Sequence, residues 1–154
     1  MTEITRIVAQ MQGAFSGEAW HGPALQELLA KISAAQAAAQ PFPHVHSIWE
    51  ITLHIAVWKR IVRRRWQGEV VVEAPPAEDW PAVRATNKIA WATTQKELLL
   101  VHQELLEAVT PGPDARLDEI VPGQKISNYV MLHGVIQHDL YHAGQIAVLH
   151  RAQT

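Results

Sequence analysis

The sequence predicts an all-α protein built as a four-helix bundle, and three observations lead there. Apolar residues recur at helical spacing in four separate stretches, several of them opened by a capping residue. Connections rich in proline and glycine separate these stretches. The only run with strand character, "EVVVE" at residues 69–73, is too isolated to argue for a sheet, so any extended segment is expected within Val70 to Glu73.

Taken in order, the first helix is expected from about Glu3 to Phe15, with Ile4, Ile7, Val8, Met11 and Phe15 on one face. The stretch "GEAWHGP" interrupts it before "ALQELLAKI" resumes helical spacing, so this first element is read as broken or kinked near Gly22 and Pro23. Pro41 and Pro43 then force an extended connection. Ser47 followed by Glu50 is a capping-box pattern that opens the second helix, whose seam is Ile51, His54, Trp58 and Ile61. Its end collects Lys59, Arg60, Arg63, Arg64 and Arg65, read as a solvated helix end where positive charge suits the dipole.

The connection Gly68 to Trp80 is long enough for a crossover that lets the second and third helices run the same way. Asp79 is expected to cap the third helix, from about Pro81 to Val109, with Val83, Ala90, Leu98, Val101 and Leu105 facing inward. Ser127 can cap the fourth, which runs to about Ala152. Its seam reads Met131, Val135, His138, His142, Gln145 and Leu149, with steps of four and three.

A chain of 154 residues, 48% hydrophobic and 18% charged, suffices for one domain over residues 1–154 with a sizeable core. The formal charge of -2 supplies no general attraction for nucleic acid or an anionic membrane. The start "MTEITRIVAQMQ" lacks a signal-peptide pattern, and no run reaches the roughly 18 apolar residues of a membrane span, so a cytoplasmic protein is expected. With no cysteine, a metal site must come from His, Asp and Glu.

Nine histidines are available. Residues four apart on a helix lie about 40° apart in projection and about 6 Å apart along the axis, so His138 and His142 can aim ring nitrogens at one point. Both occupy the seam, where an unpartnered imidazole costs a few kcal/mol and coordination would satisfy it. His54 sits on the seam of the second helix and completes a three-histidine set. Three neutral imidazoles leave coordination positions open, as in catalytic sites.

Gln145 could hydrogen-bond a ligand or a metal-bound water or, equally, make a plain interhelical hydrogen bond, and Gly134 could leave room for a ligand or allow close helix packing. Glu50 is read first as a cap and second as a fourth ligand or base, and His46 as lining a pocket mouth. His21, His44, His102, His133 and His150 are read as surface or helix-end residues. The six tryptophans read mostly as core, with Trp20, Trp49 or Trp58 as candidate walls of an apolar cleft.

The stretches "HSIWEITLHIAVWKRIV" and "GVIQHDLYHAGQI", with the helix lengths and the long second connection, resemble the DinB/YfiT-like superfamily of metalloenzymes over essentially the whole chain. The resemblance implies an up-down-down-up four-helix bundle, commonly a homodimer, with a divalent metal held by His54, His138 and His142. It also implies chemistry on low-molecular-weight thiols such as bacillithiol, mycothiol or glutathione. Thiol-dependent maleylpyruvate isomerases of this group carry an additional C-terminal domain, and the sequence stops shortly after the fourth helix, which points away from that activity.

The expected function is therefore that of a zinc- or nickel-dependent thiol S-transferase acting on a small-molecule substrate. Imidazole ligands suit zinc, nickel, copper and iron alike, so spacing does not name the metal. A metal-dependent hydrolase is the alternative, disfavoured because no seam carboxylate is placed as a base. The other is a non-catalytic metal-binding bundle.

Overall fold

The computed structural model describes residues 1–154, and its regular structure is helical. In chain order the helices are α1 (Glu3–Ser16), α2 (Leu25–Leu29), α3 (Ala34–Ala38), α4 (Ile48–Trp66), α5 (Pro76–Asp79), α6 (Lys88–Val109) and α7 (Asn128–Arg151), with a short 3-10 turn at Asp114–Asp118. The long helices α1, α4, α6 and α7 form the bundle. No helix is long and apolar enough to cross a membrane.

Local chemistry sets most boundaries. Ser47 accepts from Glu50 N–H while the Glu50 carboxylate takes the Ser47 N–H at 2.7 Å, closing the expected capping box on α4. Ser127 caps α7 by its hydroxyl alone, accepting from Val130 N–H. The start of α1 has a second, tertiary cap: Asp114 accepts from the N–H groups of Glu3 and Ile4 at 2.9 and 3.0 Å.

The break expected near Gly22 and Pro23 is present, and the start of the third helix differs from expectation. The first element is broken, not kinked: α1 ends at Ser16, Gly17 turns the chain at φ 142°, residues 17–24, with Gly22 and Pro23 among them, are non-helical, and "ALQELLAKI" yields only the short α2 before α3. The third helix does not start at Pro81 with Asp79 as its cap. Asp79 ends α5, and α6 begins at Lys88 under Asn87, whose side chain accepts from Ala90 N–H. Val83 therefore packs from a loop, while Leu98, Val101 and Leu105 are buried as expected.

Cross-helix contacts give the relative directions. Trp49 meets Thr94, Arg60 meets Glu97, Arg63 meets Glu104 and Trp66 meets Ala108, so positions rise together and α4 and α6 run the same way. His54 faces His142 and Lys59 bonds Asp139, so α7 runs opposite to α4. The crossover through Val70–Glu73 is irregular; the Val71 and Val72 carbonyls accept from Arg65 and Gln124 side chains instead of a strand.

The core lies in two apolar layers. One gathers Phe15, Ile51, Ile55, Trp91, Leu98 and Ile146; the other gathers Ile4, Val62, Trp66, Leu105, Met131 and Val135. Between them runs a belt of buried polar groups. Lys59, only 1% exposed, bonds Asp139 at 2.5 Å, and His102 stacks on Phe15 at 3.8 Å with neither ring nitrogen partnered. This corrects the reading of His102 as a surface residue and of the basic end of α4 as wholly solvated: Lys59 and Arg65 are both buried. The belt places polar side chains at the level where α4 and α7 carry their seam histidines.

Candidate metal centre

Helix α4 presents His54 one turn after Ile51, and α7 presents His138 and His142 on adjacent turns. The three rings converge. His138 Nε2 lies 3.1 Å from His54 Nε2 and 3.2 Å from His142 Nε2. His54 and His142 are buried at 6% and 5% exposure, and His138 is half-buried.

The outer ring nitrogens are held. His54 Nδ1–H donates to the Asp79 carbonyl at 2.8 Å, with the Asp79 carboxylate at 3.1 Å. His142 Nδ1–H donates to Gln145 Oε1 at 2.6 Å. Each bond fixes a tautomer whose inner Nε2 carries a lone pair and no proton. His138 Nε2 can donate to only one of these two neighbours, and His138 Nδ1 has no partner.

The cluster thus holds too few protons to satisfy itself, and a cation fits the donor set. Three nitrogens at the ~2.0–2.1 Å of zinc–imidazole bonds in a tetrahedral arrangement lie ~3.3–3.4 Å apart, close to the two separations His138 makes, and all three ligand atoms lie within 4.8 Å of one another. Burial first, then the neighbouring His142, His54 and Lys59, pushes His138 down to about 3. Burial also lowers His142, with the Gln145 bond opposing it. Both rings are neutral near pH 7, the form that binds metal. These three side chains could hold one divalent ion.

The surrounding residues divide clearly. Gln145 contacts the His142 ring. Glu50 is occupied by its cap; burial raises its carboxyl, and the Ser47 hydrogen bonds with His46 more than offset this and leave it lowered. It is not among the converging ligand atoms. His46 stands at the mouth of a cleft of about 310 Å³ that reaches His142, Tyr141 and Gln145. A second cleft of about 310 Å³ runs between α4 and α7 from His138 past Trp58, Gly134 and Met131 to Arg65. A Cβ on Gly134 would meet nothing within 4 Å, so this glycine opens space and is not required by close helix packing.

Of the three tryptophans considered as cleft walls, only Trp58 lines a cleft at the histidines. Trp49 is core, bonded to Thr94 at 3.0 Å, and Trp20 is fully exposed.

Two site residues escaped sequence reasoning. Asp79, expected as a helix cap, instead orients His54 and accepts the Trp58 indole N–H at 2.7 Å. Trp80 stacks on His54 at 3.9 Å and on His46 at 3.6 Å, both nearly parallel. The available clue was the "EDW" at the end of an unusually long crossover, since long ordered connections commonly serve a site.

A sequence model of the family described as the DinB superfamily matches residues 19–146, a span containing all three histidines. No curated protein and no solved structure gives a significant match.

Proposed function

The chain belongs to the DinB superfamily, and from that premise we propose that it is a metal-dependent transferase joining a low-molecular-weight thiol to an electrophilic small molecule at His54, His138 and His142. The observation that supports this most is that the cluster opens on two clefts of similar size, one past His138 and one past His142. A hydrolase needs room for one organic substrate and a water. A transferase needs room for two organic reactants.

The carboxylates argue in the same direction. Asp79 holds His54 and Trp58 through Oδ1, Glu50 is taken up by its cap and Asp139 is buried against Lys59, so each carboxylate already has a structural role that competes with activating a water. A divalent ion of the zinc or nickel kind held by the three Nε2 atoms would supply Lewis acidity that lowers the pKa of a thiol.

The chain's own residues do the remainder. Asp79 and Gln145 keep two imidazoles aimed inward, and Trp80 packs flat against His54 so that the ring cannot turn. Trp58 and Met131 give the electrophile an apolar wall that excludes water. His46, stacked on Trp80, lines the mouth of the other cleft, where the thiol would enter. In the overall reaction a sulfur–carbon bond forms, the bond to the leaving group breaks with its electron pair, and the leaving group gains a proton.

The test is to incubate metal-loaded protein with bacillithiol, mycothiol or glutathione and a panel of electrophiles, beside His142→Ala and an ester and amide panel. Thiol conjugation that disappears in the variant is the expected result. Metal-dependent hydrolysis without thiol would reassign the protein as a hydrolase. Absence of both, with a melting temperature that falls sharply on chelation, would make the metal structural.

A further inference from the structure

The cleft that starts at His138 ends at a positive charge that no carboxylate in the protein pairs with, its guanidinium 5.8 Å from the centre of the Trp58 ring. Arg60, Arg63 and Arg64 on the same helix pair with Glu97, Glu104 and Glu69. Arg65 takes part in no ion pair although it is only 6% exposed. Its Nε and Nη2 donate to the neutral carbonyls of Val71 and Val72 at 2.8 and 2.9 Å, which aim the guanidinium without neutralising it. Nη1 makes no hydrogen bond within the protein. A buried cation without a counter-charge is costly, and burial lowers the pKa of this guanidinium accordingly.

Between the two ends the lining is mostly apolar, with Trp58 and Val62 from α4 and Met131 and Val135 from α7, and Gln137 is its one uncharged polar side chain. Gly134 supplies no side chain to fill the floor. From Met131, near the Arg65 end, to His138 is two helical turns, about 11 Å. The volume of about 310 Å³ is at the lower end for a small-molecule site.

We propose that this cleft binds an amphipathic monoanion, with a carboxylate against Arg65, an apolar body along Trp58 and Met131, and the far end delivered to the histidine cluster. Arginine suits a carboxylate because its planar donors match the two oxygens, and the anion replaces the missing counter-charge. That this molecule is the electrophile rests on the transferase reading. Its binding does not.

Octanoate, octanol and octylamine serve as probes, titrated calorimetrically into the full-length protein. Octanoate should bind at least about tenfold more tightly than octanol, and octylamine most weakly, the margin expected for hydrogen bonds to a charged group. Arg65→Gln should bring octanoate down to the octanol level, Arg65→Lys should keep part of the preference, and Gly134→Leu should block both ligands in a protein of unchanged circular dichroism. His142→Ala, which removes a metal ligand outside this cleft, should leave the preference intact.

Octanoate binding no tighter than octanol would overturn the proposal. So would a preference that survives Arg65→Gln, and its loss in His142→Ala would then put the carboxylate on the histidine cluster. Should Arg65→Gln fail to fold, the octanoate-to-octanol ratio and the Gly134→Leu block decide alone. Failure of thiol transfer with this binding intact would refute the reaction and not the cleft.

Discussion

Replacing His102 with Leu should raise stability at neutral pH and remove one proton-linked step from acid unfolding. The ring lies against Phe15 at 3.8 Å, is 2% exposed and has no partner on either nitrogen. Burial, aided by the nearby Lys59 charge, pushes its pKa from 6.5 to about 3. The unfolded chain therefore binds a proton below pH 6.5 that the folded chain refuses. For a depressed pKa, the stability contribution is complete above the unfolded value and is lost as pH falls toward the folded one.

At ~1.36 kcal/mol per unit, the linkage amounts to ~2 kcal/mol lost between pH 6.5 and 5 and approaches ~5 kcal/mol near pH 3. Leu at 102 abolishes that loss and also removes the cost of burying unpaired nitrogens, ~1–3 kcal/mol at pH 7. Urea unfolding of both proteins at pH 7.5, 6.5, 5.5 and 5 measures the effect, these values being chosen to bracket the ~6.5 of free imidazole. The expected result is a variant more stable than the parent by a margin that widens by ~2 kcal/mol at the acid end. A margin independent of pH would show that His102 protonates in the folded state and would refute the account of its burial.

Three further outcomes follow from the same geometry. Lys59→Met should strand the Asp139 carboxylate and cost ~3–5 kcal/mol, roughly 10 °C in melting temperature at pH 7. Because burial already raises Asp139 and loss of Lys59 raises it further, that deficit should shrink in acid, and Lys59→Met with Asp139→Leu should recover most of it in calorimetry. Gln145→Leu should leave three histidines in place yet weaken metal affinity by about 10- to 100-fold in a competition titration, since His142 loses its orienting bond. Ala at His54, His138 or His142 should each abolish stoichiometric metal by elemental analysis, while His150→Ala should not; full occupancy after His138→Ala would remove that residue from the ligand set.

Much of the protein was legible in the chain because it depends on short-range rules. Helical spacing and the Ser47 and Ser127 caps set α4 and α7 to within a residue or two, and the polarity of their seams singled out His54, His138 and His142. A capping box or a four-residue pair is contained in a few neighbouring positions, so no tertiary knowledge is needed to see it. The same short range misled where a pattern had a rival meaning. Asp79 before Pro81 reads as a helix cap, yet the segment is drawn across the bundle to His54 and Trp58, and the helix waits until Lys88.

What only the tertiary structure decided is which polar residues end up inside. Lys59, Arg65, His102 and Asp139 look like solvent-facing residues on their own helices, and burial is a property of the neighbours. Lys59 and Asp139 lie far apart in sequence and are admitted to the interior because each cancels the other's charge. Arg65 is buried with no such partner, which no local pattern could reveal. The sequence determined the helices and their histidines because those depend on periodicity; the packing of α4 against α7 determined how the histidines are held, where the clefts open and which buried cation has no ion-pair partner.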